Sequence, residues 1–319
     1  SAVVTPARAR FETTARSEMT TTLPDQVTVV PGRRWMSYIA LGIGVVCIAW
    51  SALFVRWAGV SGPASAFYRA LVATVVLVPC WLWRGRRTQL AIRPVTLGAL
   101  AGLFFAFDLA LFNSAVLSTS AANATLLGNN APILVGLGSW VVFRKRPDRI
   151  FWIGLALALV GSACIVGSDA LTPAAFGSGD VMAISASVFF AAYLLTIGSV
   201  RANLDTLTLT TLAIAASSVV LLIFCLVLGV PLSGYSTHAW LSLVGLGVVS
   251  QVGGYLAITY ALGHLPATVT SVGLLGQAPL TAVLAIPLLG EPLSASQIIG
   301  GLLVLTGIYV VNRRRATAV

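Results

Sequence analysis

The chain has 319 residues, of which 58% are hydrophobic and 9% are charged, and its mean hydropathy is +0.95. Soluble domains carry roughly 25% charged residues, so this composition excludes an ordinary soluble domain and indicates an integral membrane protein. The formal net charge of +10 would suggest nucleic-acid binding in a soluble protein, but basic loops held in the cytoplasm account for it here. We therefore expect the lipid bilayer, and not nucleic acid, to be the partner of these charges.

Ten long apolar segments predict ten transmembrane helices in an all-α protein. Residues 1–34 come first; they are rich in Thr and Arg, without hydrophobic periodicity, and predict a flexible cytoplasmic tail. Residues 313–319 are predicted to form a short basic cytoplasmic tail. Each segment is long enough to cross about 30 Å at about 1.5 Å per residue, and little of the chain remains for an extramembrane domain. The predicted spans are 35–55, 63–83, 94–116, 119–143, 150–167, 179–200, 206–229, 239–261, 267–289 and 295–312.

The basic residues predict the orientation of these spans. Seventeen of the nineteen lie before the first span, in alternate connections or after the last span, whereas Arg56 and Arg69 do not. Because basic clusters resist translocation, both termini are predicted to be cytoplasmic, in a multi-pass protein of the inner (cytoplasmic) membrane. The seventeen are Arg8, Arg10, Arg16, Arg33, Arg34, Arg84, Arg86, Arg87, Arg93, Arg144, Lys145, Arg146, Arg149, Arg201, Arg313, Arg314 and Arg315.

The two halves of the chain resemble each other at an offset of 143 to 148 residues. The clearest matches are 126–132 with 274–279, one residue being skipped, and Gly154 and Gly161 with Gly300 and Gly307. Five spans in each half is an odd number, so the second half is predicted to enter the membrane upside down. An inverted repeat of 35–168 and 179–312 places a site at the membrane midplane that can open to either side, which is the geometry of alternating access.

Several short motifs resemble the ten-helix EamA-type branch of the drug/metabolite transporter superfamily. They are 48–51 and 66–69 in the first half, and 257–262, 266–267, 278–279, 289–294 and 297–300 in the second. One departure is Phe143-Arg144, where the family often has a Gly-Glu like Gly290-Glu291. The resemblance implies a secondary exporter of small metabolites, such as the YddG-type exporters of aromatic amino acids.

Arg69 and Asp108 are the charges placed most deeply in the predicted spans. Arg69 lies about 9 Å below the outer end of span two, and Asp108 lies about 12 Å from the same surface in span three, at about 1.5 Å per residue. The similar depths permit an ion pair. A charge at the membrane centre costs roughly 2.5–3.5 kcal/mol, which marks a candidate substrate site. A structural pair, or an arginine whose head reaches the outer interface, is the alternative.

Polar and aromatic side chains within the spans complete the predicted cavity. Amides facing lipid would lack partners, so they are expected to face either the cavity or a neighbouring helix. Trp50 and Tyr193 occupy positions related by the repeat, and their rings either line a shared pocket or else face lipid or pack in the core. The other candidates are Tyr68, Asn113, Asn123, Asn130, Gln251, Tyr255, Tyr260 and Gln277.

Pro132 and Pro279 are predicted to kink spans four and nine. Each removes a backbone hydrogen bond and clashes with the carbonyl four residues earlier. These kinks can act as hinges for alternating access, or they can be static bends that make room for a cavity.

Other functional classes find no support in the sequence. No GxxxxGK[ST] phosphate loop is present, which argues against ATP hydrolysis, and neither the four cysteines nor the two histidines have a metal-ligand spacing. We therefore expect neither a metal nor another cofactor, and a transporter rather than an enzyme. A passive channel and, more remotely, an intramembrane enzyme remain open, as does the choice between a monomer and a homodimer.

Overall fold

The computed structural model describes residues 31–84, 91–118, 121–166, 177–201, 203–289 and 294–316. Within these ranges the chain forms helices and turns, as expected for an all-α protein. The chain divides into Ser1–Arg34, of which only the start of one helix is described, and Trp35–Val319, which holds all that follows.

Fourteen α-helices and one π-helical segment make up the described part. The first seven are α1 (Pro31–Ala49), α2 (Ser51–Ala58), α3 (Gly62–Trp83), α4 (Ile92–Ser118), α5 (Ala121–Gly128), α6 (Ala131–Val141) and α7 (Arg149–Val166). The remainder are α8 (Ser178–Val200), α9 (Thr206–Val227), α10 (Thr237–Gly245), the π segment (Leu246–Gly254), α11 (Tyr255–Leu262), α12 (Ala267–Leu274), α13 (Gln277–Leu289) and α14 (Ala295–Ala316).

Nine helical stretches in the described ranges are long and apolar enough to cross a membrane. They coincide with nine of the predicted spans. The predicted fourth span, 119–143, falls instead on α5 and α6, which have 8 and 11 residues and are each too short to cross alone. Residues 119–120 lie outside the described ranges, so the predicted fourth span stays a prediction. The last helix continues to Ala316, into the predicted basic tail.

Two of the predicted spans are broken near a proline. α5 ends at Gly128 and α6 begins at Ala131, while α12 ends at Leu274 and α13 begins at Gln277. Pro132 and Pro279 lie in the first turns of α6 and α13, so each ring points toward a carbonyl in or beside the break. Proline lacks the N–H and collides with the carbonyl four residues earlier, so it bends or breaks a helix. Here both helices are interrupted, whereas α3 continues through Pro79. The predicted kinks are therefore breaks between two helices.

The outer surface of the bundle is apolar. Large aliphatic side chains on different helices are more than half exposed, which a soluble protein of this size avoids and a lipid environment favours. Examples are Val75, Val219, Leu241 and Leu302.

Small residues bring α3 and the π segment together at the centre. A Cβ on Gly247 would lie 2.6 Å from Val72 and 3.2 Å from the carbonyl oxygen of Arg69. Only glycine permits this approach. One turn later the π segment presents Gln251, which therefore faces the turn of α3 that carries Arg69.

Helices α7 and α14 pack through two pairs of glycines. A Cβ on Gly161 would lie 2.5 Å from the carbonyl oxygen of Gly300, and the reverse distance is also 2.5 Å. Gly154 and Gly307 are paired in the same reciprocal way, with a Cβ on Gly154 lying 2.7 Å from the Gly307 carbonyl oxygen. From Gly154 to Gly161 along α7 the partner in α14 moves back from Gly307 to Gly300, so the two helices are antiparallel. These glycines act in close helix packing.

Candidate substrate site

Arg69 is the central charge of the site. Its side chain lies on α3 and is 4% exposed, and no other basic side chain in the described ranges is buried. Nε donates a hydrogen bond to Oε1 of Gln251 at 2.9 Å, and Nη1 donates to the hydroxyl of Ser51 at 3.2 Å. Within the described residues Nη2 makes no hydrogen bond. Two of the three guanidinium nitrogens, Nε and Nη1, thus have partners in the described residues.

Gln251 is fully buried and its amide has one possible orientation. A guanidinium only donates hydrogen bonds, so the amide oxygen must face Arg69. The amide nitrogen Nε2 is then left without a partner among the described residues. A buried donor without an acceptor costs about 1–3 kcal/mol, so Nε2 of Gln251 is a candidate contact for a ligand. The π-helical backbone that carries Gln251 is itself often found at functional sites.

Asp108 lies near Arg69 without touching it. The carboxylate is 8% exposed, and in the described part of the chain it makes no hydrogen bond and no ion pair within 4 Å. Asp108 interacts through space with Arg69 and with the hydroxyls of Tyr193 and Tyr255. The direct ion pair that their depths permit is therefore absent from these residues, because Arg69 bonds to Gln251 and Ser51 instead.

Four aromatic rings form a layer beside the two charges. Phe105 stacks on Tyr193 with ring centroids 4.6 Å apart, and its centroid is 4.5 Å from that of Tyr255. Tyr193 also stacks on Phe190 at 6.1 Å. Phe105 lies one helical turn before Asp108 on the same face of α4. The rings are almost fully buried, with Phe105 at 0%, Tyr193 at 1% and Tyr255 at 5% exposure, because they pack on one another.

Tyr68 is close to Arg69 in sequence but makes different contacts. Its hydroxyl donates a hydrogen bond to the carbonyl of Leu232, in the loop that joins α9 to α10. Its ring meets Trp240 edge to face at 4.8 Å and Tyr235 at 6.0 Å. Burial raises the pKa of the Tyr235 phenol above its ordinary value, and Tyr68 and Cys225 add to the shift. Tyr68 thus fastens this loop, residues 228–236, to α3.

Two predicted amides bind neighbouring backbone or hydroxyl groups. Nδ2 of Asn113 donates to the Ser65 hydroxyl at 2.9 Å and to the Gly62 carbonyl at 3.3 Å, which links α4 to the start of α3. Nδ2 of Asn130 donates to the Leu127 carbonyl at 2.9 Å, inside the break between α5 and α6. Both amides serve helix contacts or helix ends.

Trp50, Tyr260 and Gln277 make no hydrogen bond to Arg69 in the described part of the chain. Trp50 is half-buried at the junction of α1 and α2, with its ring 6.1 Å from that of Phe54. Tyr260 is half-buried beside His264. Gln277 is half-buried at the first position of α13. Asn123 belongs to α5, but its side chain lies outside the described residues.

Three residues of the candidate site, Phe105, Phe190 and Ser51, were not among those predicted from the sequence. A phenylalanine in an apolar span has no compositional signal, although the spacing of Phe105, three residues from Asp108, places it on the same helix face. Ser51 belongs to a motif that the sequence analysis noted, but nothing in that motif indicated a bond to Arg69. In the described ranges no three His, Cys, Asp or Glu side chains are grouped so that they could hold a metal ion.

Comparison with known proteins gives one consistent result. The sequence profile of the EamA-like transporter family matches residues 35–167 and again residues 177–313. The uncharacterized transporter YwfM of Bacillus subtilis is 28% identical over 265 residues, which cover 79% of this chain and 86% of the relative. An uncharacterized transporter of Archaeoglobus fulgidus is 27% identical over 261 residues, which cover 78% of this chain and 87% of that protein.

The fold also has a counterpart among solved structures. A crystal structure with no function in its description matches with a TM-score of 0.74 and 18% identity. The match covers 90% of this chain and all of the other. It shows that the two proteins share a fold.

Proposed function

The chain belongs to the EamA-like transporter family, and from that membership we propose that it is a secondary exporter of amino acids, among them those with aromatic or other hydrophobic side chains. Family membership and the transporters among its relatives make the protein a multi-pass membrane transporter. The substrate, the mechanism and the location in the cytoplasmic membrane are the proposed part.

One observation carries the choice of substrate. Arg69 and Asp108 are buried close to each other, and neither uses its charge in a direct ion pair with the other. The ring layer of Phe105, Tyr193 and Tyr255 lies beside them. A zwitterion with an apolar side chain matches this arrangement group for group: its carboxylate complements Arg69, its ammonium complements Asp108, and its side chain lies on the rings.

The proposed mechanism is alternating access between two inverted five-helix halves. The family profile matches two successive segments of nearly equal length, which supports a repeat. The glycine pairs support it further, because the repeat relates Gly154 to Gly300 and Gly161 to Gly307. In the structure Gly154 contacts Gly307 and Gly161 contacts Gly300. This reciprocal pairing is what a two-fold axis between the halves produces.

Two further roles follow from this proposal. The breaks at Pro132 and Pro279 occupy related positions in the two halves and serve as hinges. The distribution of basic residues places both termini in the cytoplasm, so the 228–236 loop is external, and the contact between Tyr68 and Leu232 closes the external side.

Counterflow in proteoliposomes tests the function. Vesicles containing the full chain are loaded with unlabelled phenylalanine and diluted into labelled phenylalanine. A carrier with alternating access accumulates the label transiently, because exchange is faster than net efflux, whereas a passive channel only equilibrates it. Protein-free vesicles are the control. Absence of accumulation for phenylalanine, leucine and the other neutral amino acids would refute export of this class.

A further inference from the structure

Two donors at Arg69 and Gln251 have no acceptor among the described residues. Nε and Nη1 of Arg69 have partners but Nη2 donates no hydrogen bond there, and the buried Nε2 of Gln251 is also without a partner. Both belong to side chains joined by the bond from Nε to Oε1 at 2.9 Å, so both donors lie in one small region. Phe105, Tyr193 and Tyr255 form the ring layer nearby, the two tyrosines with hydroxyl groups, and Asp108 makes no ion pair within 4 Å among the described residues.

We propose that Arg69 and Gln251 form a carboxylate subsite, in which the free edge of the guanidinium and the Gln251 amide nitrogen bind the two oxygens of a substrate carboxylate. The proposal rests on the export function proposed above and deepens it, because it makes a carboxylate obligatory in the substrate. Lipophilic amines without a carboxylate are then rejected, although an acidic residue, Asp108, lies close by.

The geometry of the two side chains supports a planar oxyanion. A guanidinium binds a carboxylate through two parallel N–H donors, and the Nη1–Nη2 edge of Arg69 retains the hydrogens for this, since Nε is used by Gln251 and Nη1 gives one bond to Ser51. Gln251 therefore has two roles. Its oxygen orients the guanidinium, and its nitrogen adds a further donor for the ligand.

Specificity follows from the cost of leaving these donors unpaired. A ligand that places an amide or a hydrogen where the carboxylate belongs leaves buried donors without acceptors, and sites of this kind discriminate strongly against such ligands. Selectivity thus depends on Gln251 as well as on Arg69.

Competition binding tests the subsite on the full-length protein. Labelled phenylalanine is displaced by 3-phenylpropionate, which has the carboxylate and no ammonium, and by phenylalaninamide and 2-phenylethylamine, which have the ammonium and no carboxylate. We expect 3-phenylpropionate to compete and the two amines to be weaker by about tenfold or more. Equal competition by the amines, or no binding of any carboxylate probe, overturns the subsite. Displacement of 3-phenylpropionate by chloride at constant ionic strength, with no difference among the organic probes, also overturns it.

Variants at Gln251 keep the test independent of folding. Gln251→Glu has nearly the same shape and supplies an internal carboxylate to Arg69, so it should remove binding of 3-phenylpropionate without lowering the thermal stability. Gln251→Leu should weaken it, and Gln297→Leu, a glutamine at the start of α14, should leave it unchanged. Unaltered carboxylate binding by Gln251→Glu contradicts the proposal.

The failure of this inference is distinct from the failure of the export function. If the protein binds 3-phenylpropionate, Gln251→Glu abolishes that binding, and no amino acid shows counterflow, then the subsite is retained and amino-acid export is rejected. If phenylalanine shows counterflow and phenylalaninamide inhibits it as strongly as phenylalanine does, the export function is retained and the subsite is rejected.

Discussion

Gly161 of α7 and Gly300 of α14 face each other so closely that a Cβ on either residue would lie 2.5 Å from the carbonyl oxygen of the other. No side chain separates the two backbones at this point. The interface between these helices is therefore fixed by the absence of side chains, and small substitutions in it should have large effects.

Gly161→Ala should destabilise the protein even though alanine favours helices more than glycine does. The gain in helix propensity is at most about 1 kcal/mol, whereas overpacking in a tight interface costs about 1–3 kcal/mol, and here the obstacle is backbone that cannot rotate away. Thermal unfolding in detergent, followed by the fluorescence of the eight tryptophans, measures the difference. Gly42→Ala is the matched control, because a Cβ at this helical glycine meets nothing within 4 Å. An unfolding temperature of Gly161→Ala equal to that of Gly42→Ala would contradict the close packing.

Tyr68→Phe should loosen the 228–236 loop. The substitution removes only the hydroxyl that donates to the Leu232 carbonyl, and a hydrogen bond of this kind contributes about 0.5–1.5 kcal/mol. The expected result is a lower unfolding temperature and faster modification of a cysteine introduced at Ser233. Tyr309→Phe serves for comparison, because that ring is 61% exposed on α14. Equal effects of the two substitutions would show that the hydroxyl of Tyr68 has no special role.

Single-cysteine labelling checks the orientation. Lys145→Cys should react with an impermeant reagent only after cells are opened, because its connection carries four basic residues, and Ser233→Cys should react in intact cells. Both are made in a background without Cys47, Cys80, Cys164 and Cys225, since Cys80 is exposed on the structure. Reaction of residue 145 in intact cells would reverse the predicted topology.

Asp108→Asn should separate recognition of the ammonium from recognition of the carboxylate. The amide keeps the shape and removes the charge, so phenylalanine should lose affinity by about tenfold or more while 3-phenylpropionate, which has no ammonium, changes little. Asp148→Asn, in the connection before α7, is the control and should leave both affinities unchanged. Equal loss for both ligands would mean that Asp108 acts only through Arg69.

The membrane spans follow from sequence because the thickness of the bilayer sets the length of an apolar segment. Nine predicted spans coincide with helices of spanning length, and their ends differ by a few residues, as at Ile92–Ser118. The predicted span 119–143 is less regular, because hydropathy does not register the break at Asn129–Asn130.

The partners of Arg69 could not be predicted from sequence, and the reason is geometric. The distance of a residue from the end of its helix gives its depth, and depth alone suggested Asp108. The rotation of each helix about its axis decides which residues meet, and this rotation depends on packing. Here Gly247 lets the π segment approach α3, so Gln251 reaches the guanidinium first. The hydrophobic members of the site, such as Phe105, carry no signal that distinguishes them from lipid-facing residues.

Tyr68 and Arg69 are consecutive residues of one uninterrupted helix. Tyr68 bonds the 228–236 loop, and Arg69 carries the charge of the proposed binding site. A rigid movement of α3 therefore alters both contacts in the same step. The lifetime of the fastened loop and the lifetime of the ligand complex should then share one rate constant. Rapid-mixing experiments with one reporter on the loop and another in the site should show one relaxation at each reporter. The two relaxations should have the same time constant and different amplitudes.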